Sequence, residues 1–161
     1  MSKSTSDQFS YELKYQDGSV PQYNGNISNQ NWGAGSTLSN TFTYGYDKLN
    51  RLLNGTSTGI VMSETLTYDV MGNISTLNRD GQSGTYNYTN GNQLSSISGA
   101  LSTGTYVYDA NGNVTTDGRN GVALTYNNLN LPAIVTKTGL YMLYVYDATG
   151  NKLKGEQWSE P

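Results

Sequence analysis

The chain contains no cysteine and no histidine. Without cysteine there is no disulfide framework and no thiolate metal site. Without histidine the commonest general base and metal ligand is missing. Charge is also scarce, 13% of residues with a net charge of -3, against the usual quarter. The mild acidity disfavours nucleic acid as a partner, which needs a basic footprint. No apolar run approaches the ~18 residues of a membrane helix, so no membrane span is expected. Residues 1–6 lack the apolar stretch of a signal peptide, and this start reads as a piece of a longer protein. Low charge does not imply disorder here. Disordered chains have few aromatics and high net charge, whereas this one has 14 tyrosines.

What is abundant is turn chemistry. Gly and Asn each occur 19 times among 161 residues. Together with Tyr and Thr they argue for many short strands. A length of 161 residues is enough for one domain and one core. A phrase recurs six times between residues 44 and 153. Its clearest copies are Tyr68-Asp69-Val70-Met71-Gly72-Asn73-Ile74, Tyr108-Asp109-Ala110-Asn111-Gly112-Asn113-Val114 and Tyr146-Asp147-Ala148-Thr149-Gly150-Asn151.

The anchor tyrosines are Tyr46, Tyr68, Tyr88, Tyr108, Tyr126 and Tyr146, spaced by 18 to 22 residues. Two positions earlier stand Tyr44, Leu66, Tyr86, Tyr106, Leu124 and Tyr144. Alternate strand residues share a face, so each unit presents an aromatic or apolar stripe to one side. One position after the anchors come Asp47, Asp69, Thr89, Asp109, Asn127 and Asp147, which can accept a hydrogen bond from backbone two residues on. Four positions after come Asn50, Gly72, Asn92, Gly112, Asn130 and Gly150. All six are Gly or Asn, which tolerate positive φ, and the strictest element of the phrase is this one. The pattern predicts a type I turn closed by a left-handed residue.

An apolar residue returns at the sixth position in Leu52, Ile74, Leu94 and Val114, while Pro132 and Lys152 break that rule. The intervening Asn73, Gln93, Asn113 and Asn151 are expected to face solvent. A second glycine-rich turn follows each hairpin, as at Asp80-Gly81 and Thr138-Gly139. No window carries a helical period. The expected fold is all-β: tandem antiparallel hairpin repeats of about 20 residues forming a coiled or curved sheet.

Boundaries follow from regularity. Residues 1–10 read as a disordered leader or one foreign to the natural protein. Residues 11–41 read as irregular leading hairpins, in which Tyr23-Asn24-Gly25-Asn26-Ile27 is a copy with a turn two residues tighter. Residues 42–154 form the hairpin array, and residues 155–161 a frayed tail. Trp32, in a predicted loop, and Trp158 lie outside the register and are candidates for contacts.

These phrases resemble the YD repeats of the RHS family, and residues 42–52 and 106–114 are close to its usual unit. The resemblance covers 42–154 well and 11–41 loosely. It implies a ribbon of hairpins coiling into a hollow β-shell. In bacterial members the shell encloses a C-terminal toxin domain. In related animal proteins it supports adhesion at the cell surface. The core region ending the bacterial shell carries an aspartyl self-cleavage site with Asp-Pro motifs. This chain has no Asp-Pro, so it resembles repeat material from just before that core.

Other readings are weaker. The Asp109-x-Asn111-Gly112-Asn113 stretch invites calcium, but an EF-hand loop wants glycine at its sixth position and glutamate at its twelfth, where this chain has Val114 and Asn120. The tyrosine stripes would suit a carbohydrate platform, or could simply pack within the sheet. With four of eight aspartates occupied by turns, no residue is assigned as catalytic, cofactor-binding or metal-ligating, and no cofactor is expected. The expected function is a structural segment of a β-shell in a secreted or surface-delivered protein. Its partners would be the remainder of the parent protein or its toxin domain. The alternative is a module recognising glycan or a surface protein. Residues 141–146 are apolar on both faces and are expected to dock elsewhere on the chain or to drive homo-oligomerisation through edge strands.

Overall fold

The computed structural model describes residues 2–6 and 8–159. All regular structure among them is strand. The chain divides into two compact units, 1–83 and 84–161, not the single domain its length suggests. Within each unit each strand contacts its chain neighbours, as in other linear repeats.

The first unit contains β1 (Ser2–Ser4), β2 (Ser10–Lys14), β3 (Asn29–Gly33), β4 (Asn40–Tyr46), β5 (Leu52–Thr58), β6 (Glu64–Tyr68) and β7 (Ile74–Arg79). The boundary falls within β8 (Gln82–Thr89). The second unit continues with β9 (Gln93–Ser98), β10 (Gly104–Tyr108), β11 (Val114–Asp117), β12 (Val122–Tyr126), β13 (Pro132–Lys137), β14 (Leu140–Tyr146) and β15 (Lys152–Trp158). Within each unit consecutive strands pair antiparallel.

Two expectations about the ends differ from the structure. Residues 2–4 pair with β2 instead of being disordered, and the strand meant to fray at 155 runs to Trp158 along β14. The parts of both segments at Met1, Asp7, Glu160 and Pro161 lie outside the described residues. In each case a neighbouring strand offers unpaired backbone groups, and pairing satisfies them. Trp32 likewise sits in a strand and not a loop.

The repeat has one register. Each anchor pairs with the residue six positions on: Tyr46 with Leu52, Tyr68 with Ile74, Tyr88 with Leu94, Tyr108 with Val114, Tyr126 with Pro132 and Tyr146 with Lys152. Pro132 and Lys152 therefore keep the place their side chains seemed to break. In all six the register shifts immediately before the anchor, leaving one extra residue on the return strand, a β-bulge that re-aims the chain beside the turn. At two bulges a hydroxyl bonds the facing carbonyl, Ser95 Oγ to Asn87 and Thr115 Oγ1 to Val107.

Burial is thin. Among the described residues the buried apolar side chains are Leu66, Leu77 and Ile97, with Leu66 directly opposite Leu77. The face opposite the anchors is rich in Thr, Ser and Asn, with cross-strand pairs such as Thr67–Thr76 (2.6 Å) and Asn87–Ser96 (3.1 Å). Such pairs stabilise a sheet by a few tenths to ~1 kcal/mol each. β14 is flanked on its two edges by β13 and β15, so the strand expected to seek cover has both edges satisfied within the chain.

Candidate functional site: the turn ridge

Four turns are organised around an aspartate. Asp109 is representative. Its Oδ1 accepts from the backbone N–H of Asn111 (2.9 Å) and of Asn113 (2.8 Å), and its Oδ2 accepts from Asn113 Nδ2 (2.9 Å). Asp69 and Asp147 do the same with Met71 and Asn73, and with Thr149 and Asn151. Asp47 substitutes an arginine, with Arg51 Nε donating to Oδ2 at 2.7 Å. The Arg51 guanidinium also lies 4.4 Å from the centre of the Tyr68 ring, a cation–π contact with the next anchor.

These bonds favour the ionised carboxylates, so all four titrate below the ordinary range. For Asp69, Asp109 and Asp147 the leading cause is the side-chain amide of Asn73, Asn113 and Asn151 respectively; for Asp47 it is the backbone N–H of Arg51. The expectation that the polar residue after the glycine simply faces solvent is therefore incomplete. Asn73 and Asn113 are half-buried because their amides serve the aspartate four residues back.

The backbone closes each of these turns twice. In the third such turn the N–H of Gly112 donates to the Asp109 carbonyl (3.1 Å), and the N–H of Asp109 to the Asn113 carbonyl (2.9 Å). The fourth position then requires positive φ, and Asn50, Gly72, Gly112, Asn130 and Gly150 have it, from 57° to 90°. Asn92 is the exception. In that unit positive φ falls on Asn90 (47°) and Gly91 (82°), the Asn-Gly pair that primed hairpin turns favour. Thr89, which precedes them, has no carboxylate to gather two N–H groups and a side-chain amide.

Four anchors, Tyr46, Tyr68, Tyr108 and Tyr126, couple one repeat to the repeat before it. The Tyr68 hydroxyl donates to the Leu52 carbonyl (2.7 Å), Tyr108 to Leu94 (2.9 Å) and Tyr126 to Val114 (2.8 Å). The acceptor is always the sixth-position residue of the preceding unit. Tyr46 donates to Ile27 (2.9 Å), the residue that occupies the same place in the shortened copy. Burial pushes the Tyr46 and Tyr126 phenols up from their ordinary range.

At two fourth positions, Asn50 and Asn130, the side chain adds a second link. Asn130 Oδ1 accepts from Asn111 Nδ2 (2.9 Å) and Asn113 Nδ2 (3.1 Å) of the preceding turn. Asn50 Oδ1 likewise accepts from Asn24 and Asn26. The turns therefore form a laced ridge. Its aspartate oxygens are taken up by the turn itself, and no group of three or more His, Cys, Asp or Glu suited to a metal ion occurs among the described residues. The two tryptophans pack on aromatics: Trp32 lies 6.1 Å from Phe9 and Trp158 meets Tyr141 edge-on at 5.2 Å.

This repeating geometry has known relatives. The Teneurin YD-shell family model matches residues 5–154. The chain belongs to that family. It is therefore an all-β YD-repeat protein and a structural module of β-shell type. Its fold is similar to a chain in the structure of the Photorhabdus luminescens Tc holotoxin pore, at 16% identity and a TM-score of 0.60, covering 94% of this chain and 10% of that one. It is also similar to the crystal structure of TcdB2-TccC3-TEV, at 14% identity and a TM-score of 0.56, covering 96% and 11%. The YD-repeat chain thus spans about a tenth of the length of these structures. No curated protein matches it. Among the described residues there is no helix long and apolar enough to cross a membrane.

Proposed function

We propose that this chain is a stretch of wall in a β-shell that encloses or presents another domain, such as a toxin, in a secreted or surface-delivered protein, and that its role is non-catalytic. The observation that carries this reading is the anchor clamp. Its bonds run from one repeat to the one before, so the recurring chemistry of the phrase is spent on holding repeats in line. The family match supports it, as does the appearance of the fold in a chain of the Tc holotoxin pore structure. The partner is then the remainder of the parent protein or its cargo.

The test is limited proteolysis of the full-length parent protein. Under this reading the enclosed domain resists protease until the wall is opened by Gly72→Val and Gly112→Val together. A cargo domain cut equally fast with and without those changes defeats the reading.

A further inference from the structure

Between β2 and β3 the chain makes an excursion over residues 15–28, longer than any other connection between described strands. Ordered loops of this length usually serve a function. This one is fastened to the sheet. The Gln22 N–H donates to the Tyr15 carbonyl (3.0 Å), and the Ser28 N–H to the Lys14 carbonyl (2.8 Å). The middle of the loop hangs on Asn29, a buried residue of β3. Its Oδ1 accepts from the Ser19 N–H (2.7 Å) and hydroxyl (3.0 Å), and its Nδ2 donates to Thr43 Oγ1 (2.8 Å). Gly18 passes so close that an added Cβ would stand 1.8 Å from Ser28 Oγ, an approach only glycine allows.

The fastened loop surrounds a cavity of about 430 Å³ lined by Tyr15, Gln16, Asp17, Gln22, Tyr23 and Gly25, within the size range of small-ligand sites. Asp17 is the only charged residue from 15 to 28. Its Oδ1 accepts from the Tyr15 N–H (3.0 Å), the leading reason that its carboxyl titrates below the ordinary range. Among the described residues no cation pairs with it. Lys14, close in sequence, has its Nζ 4.0 Å from Glu12 Oε2 instead.

The two tyrosines are spared structural duty. Tyr23 holds the anchor's place in the shortened copy, yet it is 83% exposed and outside the clamp. Among the described residues neither Tyr15 nor Tyr23 packs on another ring or on a protein cation. Elsewhere in the chain tyrosine faces do hold cations: Arg51 lies 4.4 Å from the Tyr68 ring centre and Lys152 Nζ 4.1 Å from that of Tyr144.

We propose that this cavity binds a quaternary ammonium cation, a choline-type head group. The negative faces of two aromatic rings attract such a charge, the principle of aromatic cages. Asp17 supplies the counter-charge at short range. A quaternary nitrogen carries no N–H, so it asks for no hydrogen-bond acceptor that the loop has already used. Gln16 and Gln22 line the cavity without adding charge. An anion meets only the repulsion of Asp17. The site stands on these residues alone, whatever the ribbon encloses.

The experiment is amide chemical-shift mapping of the intact chain with choline, with its neutral isostere carrying tert-butyl in place of trimethylammonium, and with acetate. The expected result is saturable shifts at Tyr15, Asp17, Tyr23 and Gly25 with choline at roughly millimolar concentration. The neutral isostere should bind about tenfold more weakly, and acetate should cause no shift. Asp17→Asn keeps an acceptor for the Tyr15 N–H and removes the charge, so it should weaken choline about fivefold. Tyr23→Ala removes an exposed ring without touching the sheet and should weaken choline about threefold. Co-sedimentation with phosphatidylcholine vesicles, with and without competing choline, tells a lipid head group from the free molecule as the source of the cation. Three results overturn the proposal: no choline shifts at these residues, equal binding of the neutral isostere, or choline binding unchanged in both variants.

Discussion

The anchor hydroxyls give the sharpest test of how the repeats hold together. Tyr→Phe at 46, 68, 108 and 126 removes four oxygens and leaves every ring in place. Each lost bond ran to a backbone carbonyl of the preceding repeat at 2.7 to 2.9 Å. A net hydrogen bond contributes about 0.5–1.5 kcal/mol, and a carbonyl left without a partner in a half-buried place moves the cost to the upper part of that range. The four bonds lie in separate repeats and should add approximately. The quadruple variant should then lose about 2–6 kcal/mol, a large share of the ~5–15 kcal/mol that stabilises a natural domain. Urea unfolding followed by far-UV circular dichroism measures the loss, using the midpoint and the slope. Tyr23→Phe is the control, because Tyr23 is 83% exposed and takes no part in the clamp. A quadruple variant within about 0.5 kcal/mol of the parent would show that the tyrosines act through ring packing alone, and the clamp would be discarded.

Three further outcomes are expected. Asp47, Asp69, Asp109 and Asp147 have folded pKa values below the ordinary carboxylate range, so their contribution is complete above the unfolded value of ~3.9 and is lost as pH falls through the folded values. Tyr44, Tyr46, Tyr106 and Tyr126 are raised by burial, so their contribution is complete below about pH 10 and is lost as pH rises through the folded values; melting curves flat from pH 2 to 12 contradict both limbs. Asn130→Gly keeps the positive-φ turn but removes the oxygen that receives Asn111 and Asn113, so it should cost less than Asn130→Ala, which loses the oxygen and strains the backbone by a further ~1 kcal/mol; the reverse order in thermal melts refutes the lacing. Lys152, Lys154 and Glu156 charge β15, which pairs on one edge with β14 and on the other with no described strand, and charge of this kind discourages edge pairing. Lys154→Val with Glu156→Val should promote self-association in sedimentation velocity, and a variant that stays monomeric at the highest concentration removes the edge as a route to oligomers.

Much of this architecture was legible in the chain itself, because the period is local. Two strands and two turns fit within 20 residues, so alternation and turn chemistry specify each hairpin before any distant contact is made. The partner strand of β1 and the course of β15 were not legible. Residues 2–4 and 155–158 lie outside the phrase, and pairing there is imposed by the neighbouring strand's open backbone. The clamp was hidden for another reason: the anchor's acceptor is a carbonyl, which every residue has, so no side chain marks it.

The bond to the aspartate Oδ2 did leave a signal, in a correlation between two positions. Where the residue after the anchor is Asp, the residue four further on is Arg51, Asn73, Asn113 or Asn151, each able to donate from its side chain. Where it is Asn127, that residue is Leu131. A carboxylate has two oxygens, and the turn's backbone N–H groups occupy only Oδ1. Oδ2 therefore needs a donor of its own. An asparagine has a single acceptor oxygen, already filled in Asn127 by the N–H groups of Leu129 (2.9 Å) and Leu131 (3.0 Å), so an apolar leucine serves. Gly or Asn at the fourth position looked strictest, but Asn92 shows that it follows from the turn type and does not dictate it. The residue beside the tyrosine decides something else: its count of acceptor oxygens sets whether the side chain four positions on must supply a donor.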